Sequence, residues 1–153
     1  MSVFSLLERG AQRCDDRPFA VFDGAETSYA EALSLAKRIA TALGSAGFGL
    51  GDHAAVLSPN DPVAFTAAFG IFGADMAYVP ANPHNPPAAI ASALNLVDVR
   101  VLFYHNAMAA VVDEIRDSLP KVALFVALGT PCSGDSSLEQ FIAGHDAKRP
   151  RGL

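Results

Sequence analysis

Apolar positions along this chain alternate between short runs and helical stripes, most plainly over residues 58–83, SPNDPVAFTAAFGIFGADMAYVPANP. The opening Ser-Pro-Asn-Asp-Pro turns the chain and leaves Asn60 or Asp61 to cap a helix. Pro62 suits the first helical position, where proline's missing N–H costs nothing. Phe65, Phe69 and Phe72 form one stripe of that helix, and Val63, Ala64, Ala67, Ala68 and Ile71 fill its other faces. A helix apolar all round is buried on more than one side or crosses a membrane. About 13 residues fall short of the roughly 20 that crossing requires, so the pattern predicts a sandwiched core helix. It ends near Asp75, after which Ala77-Tyr78-Val79 reads as a short buried strand closed by Pro80. With residues 54–57 as a first strand, the stretch is a β-α-β unit.

The rest of the chain repeats that plan. Residues 3–13 read as an amphipathic helix with Phe4, Leu7 and Ala11 on one face. Residues 19–22 form a strand, Asp23-Gly24 signals a hairpin turn, and Thr27-Ser28-Tyr29 returns as the partner. A helix over 30–46 carries Leu35, Ile39, Ala42 and Ala46 on one stripe, widened by Leu33, Ala36, Ala40 and Leu43, with Glu31, Lys37, Arg38 and Thr41 facing water. Asn85 is placed to cap a helix that starts at Pro86 and buries Ile90, Ala93, Leu94 and Val97. Residues 99–104 read as a buried strand. Asn106 caps a helix with the stripe Met108, Val111, Val112, Ile115 and Leu119, stopped by Pro120. A strand over 122–128 and a short helix over 136–143 complete the pattern. Strands apolar on both faces, alternating with helices, predict an α/β fold. Its mainly parallel, Rossmann-like sheet is flanked by helices on both faces and preceded by an N-terminal β-hairpin. The polar stretch 146–153 reads as a tail.

Composition narrows the function classes. At 153 residues the chain makes one domain that buries about 70% of its unfolded surface. Only 18% of residues are charged and the mean hydropathy is +0.27, which is apolar for such a domain and implies surface meant for a partner. A net charge of −5 with scattered basic residues argues against nucleic acid. Cys14 and Cys132 show no metal or redox spacing and suit a reducing cytoplasm. The first residues lack the apolar core of a signal peptide, and no stretch is long enough for a membrane span.

Candidate chemistry is sparse. The glycine-rich string 44–51 closes a helix and precedes a strand, the reverse of a phosphate loop, so it reads as a helix stop and a turn. Residues 129–137, GTPCSGDSS, do follow a strand and open a helix, but they hold no lysine and Asp135 would repel phosphate. A plain surface loop with Asp135 or Ser136 as helix cap is the better reading. His53, His84, His105 and His145 lie far apart without ligand spacing, and no G-x-S-x-G nucleophile turn is present. No catalytic, cofactor-binding or metal-binding residue is assigned from these patterns.

Three ordered motifs carry a resemblance. TSYAEAL (27–33), GDHAAVLSPN (51–60) and GADMAYVPANP (73–83) are together similar to the AMP-forming adenylating enzymes, at matching spacing over residues 3–145. The Asn82-Pro83 ending resembles acyl-CoA ligases more than amino-acid-activating domains. Asp75 stands where the family commonly has glycine, and aspartate tolerates a left-handed backbone better than most residues. The resemblance implies that residues 1–145 are the N-terminal subdomain of an acyl-CoA ligase. That enzyme joins a carboxylic or fatty acid to ATP, with Mg, and passes the acyl group to CoA, releasing AMP and pyrophosphate. The family's phosphate loop, aromatic-Thr-Glu segment, ribose-binding aspartate and C-terminal lysine have no counterpart here. The expectation is a cytoplasmic scaffold that binds no cofactor by itself, is inactive in isolation, and self-associates through the face meant for the missing C-terminal part. The alternative is a stand-alone α/β binding or interaction module.

Overall fold

A computed structural model describes residues 2–131 and 133–147; Cys132 and all but the first two residues of the polar tail lie outside it. Five parallel strands form the sheet: β3 (His53–Leu57), β4 (Ala77–Ala81), β5 (Val99–Tyr104), β6 (Leu124–Ala127) and the two-residue β7 (Ser136–Ser137), in the order β4-β3-β5-β6-β7. A separate antiparallel hairpin, β1 (Pro18–Phe22) and β2 (Ala25–Ser28), precedes them. The chain therefore has the α/β, parallel-sheet architecture that its hydrophobic pattern predicts.

Both faces of the sheet are covered because the central strands alternate two apolar sets. Ala54 and Val56 of β3 point into one core with Val101 and Phe103 of β5, while Ala55 and Leu57 point into the other with Leu102 and Tyr104. Helices α2 (Tyr29–Ser45), α3 (Pro62–Gly73) and α6 (Leu138–Ile142) cover the first face. Helices α4 (Pro87–Leu96) and α5 (Ala109–Ile115) cover the second. Helix α1 (Val3–Cys14) lies outside α2 and α3, with Phe4 and Leu7 buried against Ala32 and Ala36. So α3 is sandwiched between the sheet and two other helices, as its all-round apolarity requires. Among the described residues no helix is long and apolar enough to cross a membrane.

Local chemistry sets the boundaries. Asp23 (φ 49°) and Gly24 (φ 75°) are both left-handed, as a two-residue hairpin turn demands. Ser28 caps α2 and Glu31 reaches back to the Ser28 N–H, a reciprocal pair. Asp61, not Asn60, caps α3 through the N–H groups of Val63 (2.9 Å) and Ala64 (3.0 Å). Asp75 does adopt the left-handed backbone (φ 60°).

Several expectations need correction. Strand β4 continues through Pro80 to Ala81 and is a half-exposed edge strand, because a proline without its N–H is tolerated at a sheet edge. Asn85 does not cap α4: Pro87 forces Pro86 into an extended conformation (ψ 148°), so the helix starts one residue later without a side-chain cap. Ala93 and Ala46 are exposed, and Ala91 takes the buried place expected of Ala93. His105, not Asn106, caps the short turn before α5. Ser136–Ser137 pair with β6 rather than starting a helix, and Ser137 caps α6 with Gln140 returning the bond. Arg38 does not simply face water: its Nε donates to the His145 carbonyl at 3.1 Å and its Nη2 to that of Ile142 at 3.4 Å, pinning the end of α6 against α2. Two of the three stripe phenylalanines of α3 face the hairpin, where Phe19 stacks on Phe65 and meets Phe69 edge-on, while Phe72 meets Tyr78 of β4, and Phe65 remains exposed.

Helices α2 and α3 pack closely. A Cβ on Gly70 would stand 2.6 Å from Ile39 Cγ2 and 3.2 Å from the Ala36 carbonyl oxygen; one on Gly73 would stand 2.8 Å from the Phe4 ring. Gly44, at the end of α2, has open space beside it. Gly70→Ala should therefore destabilise the fold by about 1–3 kcal/mol through overpacking, whereas Gly44→Ala should leave it unchanged or slightly more stable, as read by denaturant melts. At the amino end of the sheet, Arg100 Nη1 donates to Asp52 Oδ1 at 2.9 Å and the Gly49 N–H donates to Oδ2 at 3.0 Å. Arg100 first, then the Gly49 N–H, holds the Asp52 carboxyl below its usual range. Its contribution is thus present above the unfolded carboxyl pKa of about 4 and lost as pH falls through the lowered folded value. Arg100→Met should flatten that acid-side loss in a Tm-versus-pH series.

Candidate functional site

Open α/β sheets place ligands outside the carboxyl ends of their strands, where strand order reverses. Here the reversal lies between β3 and β5, because the chain leaves β3 for β4 on one side and returns to pair β5 on the other. The residues following these two strands are Ser58 to Asp61 and His105-Asn106. Asp61 spends Oδ1 on the cap of α3, and its Oδ2 lies 3.9 Å from His105 Nε2. His105 Nδ1 accepts from the Ala107 N–H at 3.0 Å, so the neutral ring carries its proton on Nε2, facing Asp61. Asn106 packs against Gly129, where a Cβ would meet its amide at 2.8 Å.

The loop after β6 closes one side of this crevice. Asp135 accepts from the Tyr104 hydroxyl at 2.7 Å and from Arg116 through two bonds of 3.0 and 2.6 Å. The Arg116 guanidinium lies 4.2 Å above the Phe125 ring. Asp135 therefore ties the loop to β5 and to the turn after α5, and it does not cap α6. Among the described residues the guanidinium at this edge, that of Arg116, is bound to a carboxylate, so they offer no free cation to a phosphate here.

On the other side a groove of about 420 Å³ runs between β1 and β4, with Val56 and Ala64 in its floor and Phe22, Phe65, Tyr78 and Pro80 in its walls. Burial raises the Tyr78 hydroxyl pKa above its usual value. An adjoining cavity of about 770 Å³ passes Phe22 to Asn82, Pro83 and His84. Neither lining includes a lysine or arginine. Asp61 is the carboxylate at the junction of groove and crevice.

The four histidines do not converge. His53 holds the Val97 carbonyl at the amino end of the sheet, His105 lies at the carboxyl end, His84 sits in the turn after β4, and His145 follows α6. Among the described residues no three His, Cys, Asp or Glu side chains gather as a metal site would need. The Asp61–His105 pair was findable from the strand pattern, since the reversal rule points to the residues after β3 and β5. The Tyr104–Asp135–Arg116 cluster left no such trace, because its members lie 19 and 31 residues apart without a motif.

Comparison with known proteins agrees with this geometry. The profile of the AMP-binding enzyme family matches residues 7–149. A long-chain-fatty-acid–CoA ligase of Thermus thermophilus is 33% identical over 102 residues, which is 67% of this chain and 19% of that protein. Surfactin synthase subunit 1 of Bacillus subtilis is also 33% identical, over 89 residues, 58% of this chain and 2% of the subunit. Among solved structures, the anthranilate CoA ligase AuaEII in complex with anthranoyl-AMP superposes with a TM-score of 0.87 at 20% identity, over 97% of this chain and 29% of the ligase. The chain thus spans under a third of each relative. A parallel sheet of this order and a family match over nearly all its residues lead to one conclusion: the chain belongs to the AMP-binding enzyme family.

Proposed function

We propose that this chain is the N-terminal scaffold of an ATP-dependent acyl-CoA ligase acting on carboxylic acids of the fatty-acid type in the cytoplasm. The observation that carries the reading is a crevice in the right place for a nucleotide with the wrong charge for its phosphates. Its carboxylate is the partly buried Asp61, and its guanidinium is bound to Asp135. A triphosphate or a Mg–triphosphate needs cations or a cradle of free N–H groups, and the described side chains at this edge do not fit one. The phosphate-binding and proton-transferring groups then belong to the part of the enzyme that lies beyond these residues. The scaffold's share is to hold α3 and the strand ends in place and to form a wall of the nucleotide side.

The choice of acyl-CoA ligase over an amino-acid-activating domain is supported by Asn82-Pro83 after β4 and by the fatty-acid ligase match over two thirds of the chain. In the 153-residue form the chain should release no pyrophosphate from ATP in the presence of CoA and mixed carboxylic acids. Turnover by the purified chain would overturn the scaffold reading. Calorimetry with AMP and CoA should likewise give no heat of binding, and micromolar affinity would favour a self-sufficient binding module instead.

A further inference from the structure

Asp135 is held as a bound ligand would be. Arg116 Nη1 donates to its Oδ1 at 3.0 Å and Arg116 Nη2 to its Oδ2 at 2.6 Å, and the Tyr104 hydroxyl adds a third bond of 2.7 Å to Oδ2. A planar guanidinium fork that meets both oxygens of a carboxylate is the strong, geometrically selective form of this pairing. The three donors come from elements other than the loop that carries Asp135: Tyr104 ends β5, and Arg116 opens the turn after α5. Their placement has its own supports. Tyr104 is fully buried, and the guanidinium lies 4.2 Å above the Phe125 ring of β6. Donors desolvated in this way lose much when their acceptor is taken away, so an anion that replaces it is well rewarded.

We propose that Arg116 and Tyr104 form a carboxylate-binding site at the carboxyl end of the sheet, and that Asp135 is its built-in occupant, closing it to carboxylates from solution. The ligand class is a small carboxylate, because the Asp135 side chain is only 10% exposed where it sits. A phosphate suits the place less well. It brings further oxygens and more negative charge, and Asp113 Oδ1 already stands 3.6 Å from Arg116 Nη2. A carboxylate tethered beside its site competes at an effective concentration on the order of millimolar or above, so the native chain stays shut to dissolved acids in that range. The inference does not rest on the ligase reading, and failure of either leaves the other standing.

Asp135→Ala removes the occupant, and thermal melts in acetate against chloride at equal ionic strength read whether the site refills. The expected result is a midpoint that rises saturably with acetate in the variant and not in the native chain. Phosphate at the same ionic strength should raise it less than acetate does. Adding Arg116→Met to Asp135→Ala should remove the response. If Asp135→Ala does not fold in chloride, recovery of its circular dichroism by acetate is the same expected outcome, and Asp135→Ser repeats the comparison. Melts of both Asp135 variants that do not distinguish acetate from chloride would overturn the proposal. So would an equal acetate response in the native chain, one that survives the loss of Arg116, or phosphate matching acetate.

Discussion

The contact between α2 and α3 is the constraint on which the rest of the layer order depends. Helix α3 is apolar on all sides and must be enclosed, yet it already lies on the sheet. Enclosing it requires α2 to approach its far side, and the glycines at 70 and 73 leave the space in which Ile39, Ala40 and Phe4 sit. Small residues at a helix contact let the backbones come close, and dense packing of this kind leaves little room for adjustment. The closeness of α2 brings α1 and the hairpin with it, because α1 packs on α2 and α3 and the hairpin feeds directly into α2.

The parts of this arrangement legible in the chain were those set by local chemistry or by burial on both faces. The strands at 53–57 and 99–104 announce themselves as apolar runs, and Asp61-Pro62 and Asp23-Gly24 mark a helix start and a turn by mechanisms confined to a few residues. The misplaced boundaries share a different cause. Whether Pro80 ends a strand depends on whether that strand has a neighbour on its far side, which only the topology decides. The role of Ser136-Ser137 depends on β6 lying alongside, and the depth of the phenylalanine stripe depends on what covers α3 at that point. Glycine inside a helix is unfavourable by itself, and the value of the glycines at 70 and 73 appears only beside Ile39 and Phe4.

At the carboxyl end of the sheet the same economy holds for charge. Asp61 is occupied at one oxygen by the cap of α3, and Arg116 and Asp135 neutralise each other beneath the loop after β6. What remains is a polar rim with a net carboxylate next to an apolar groove, a surface suited to supporting a site whose anion-binding groups are supplied from elsewhere. The sequence motifs that identify the family belong to this support: a helix start, a strand and a turn, each explained by packing or capping.

Among the described residues this edge holds no cation free to capture a nucleotide. Equilibrium dialysis of the chain against labelled ATP with Mg at low ionic strength tests it most directly, since weak screening gives any attraction its best chance. Equal label on both sides of the membrane is the predicted result. Saturable retention that excess unlabelled ATP displaces would contradict the account.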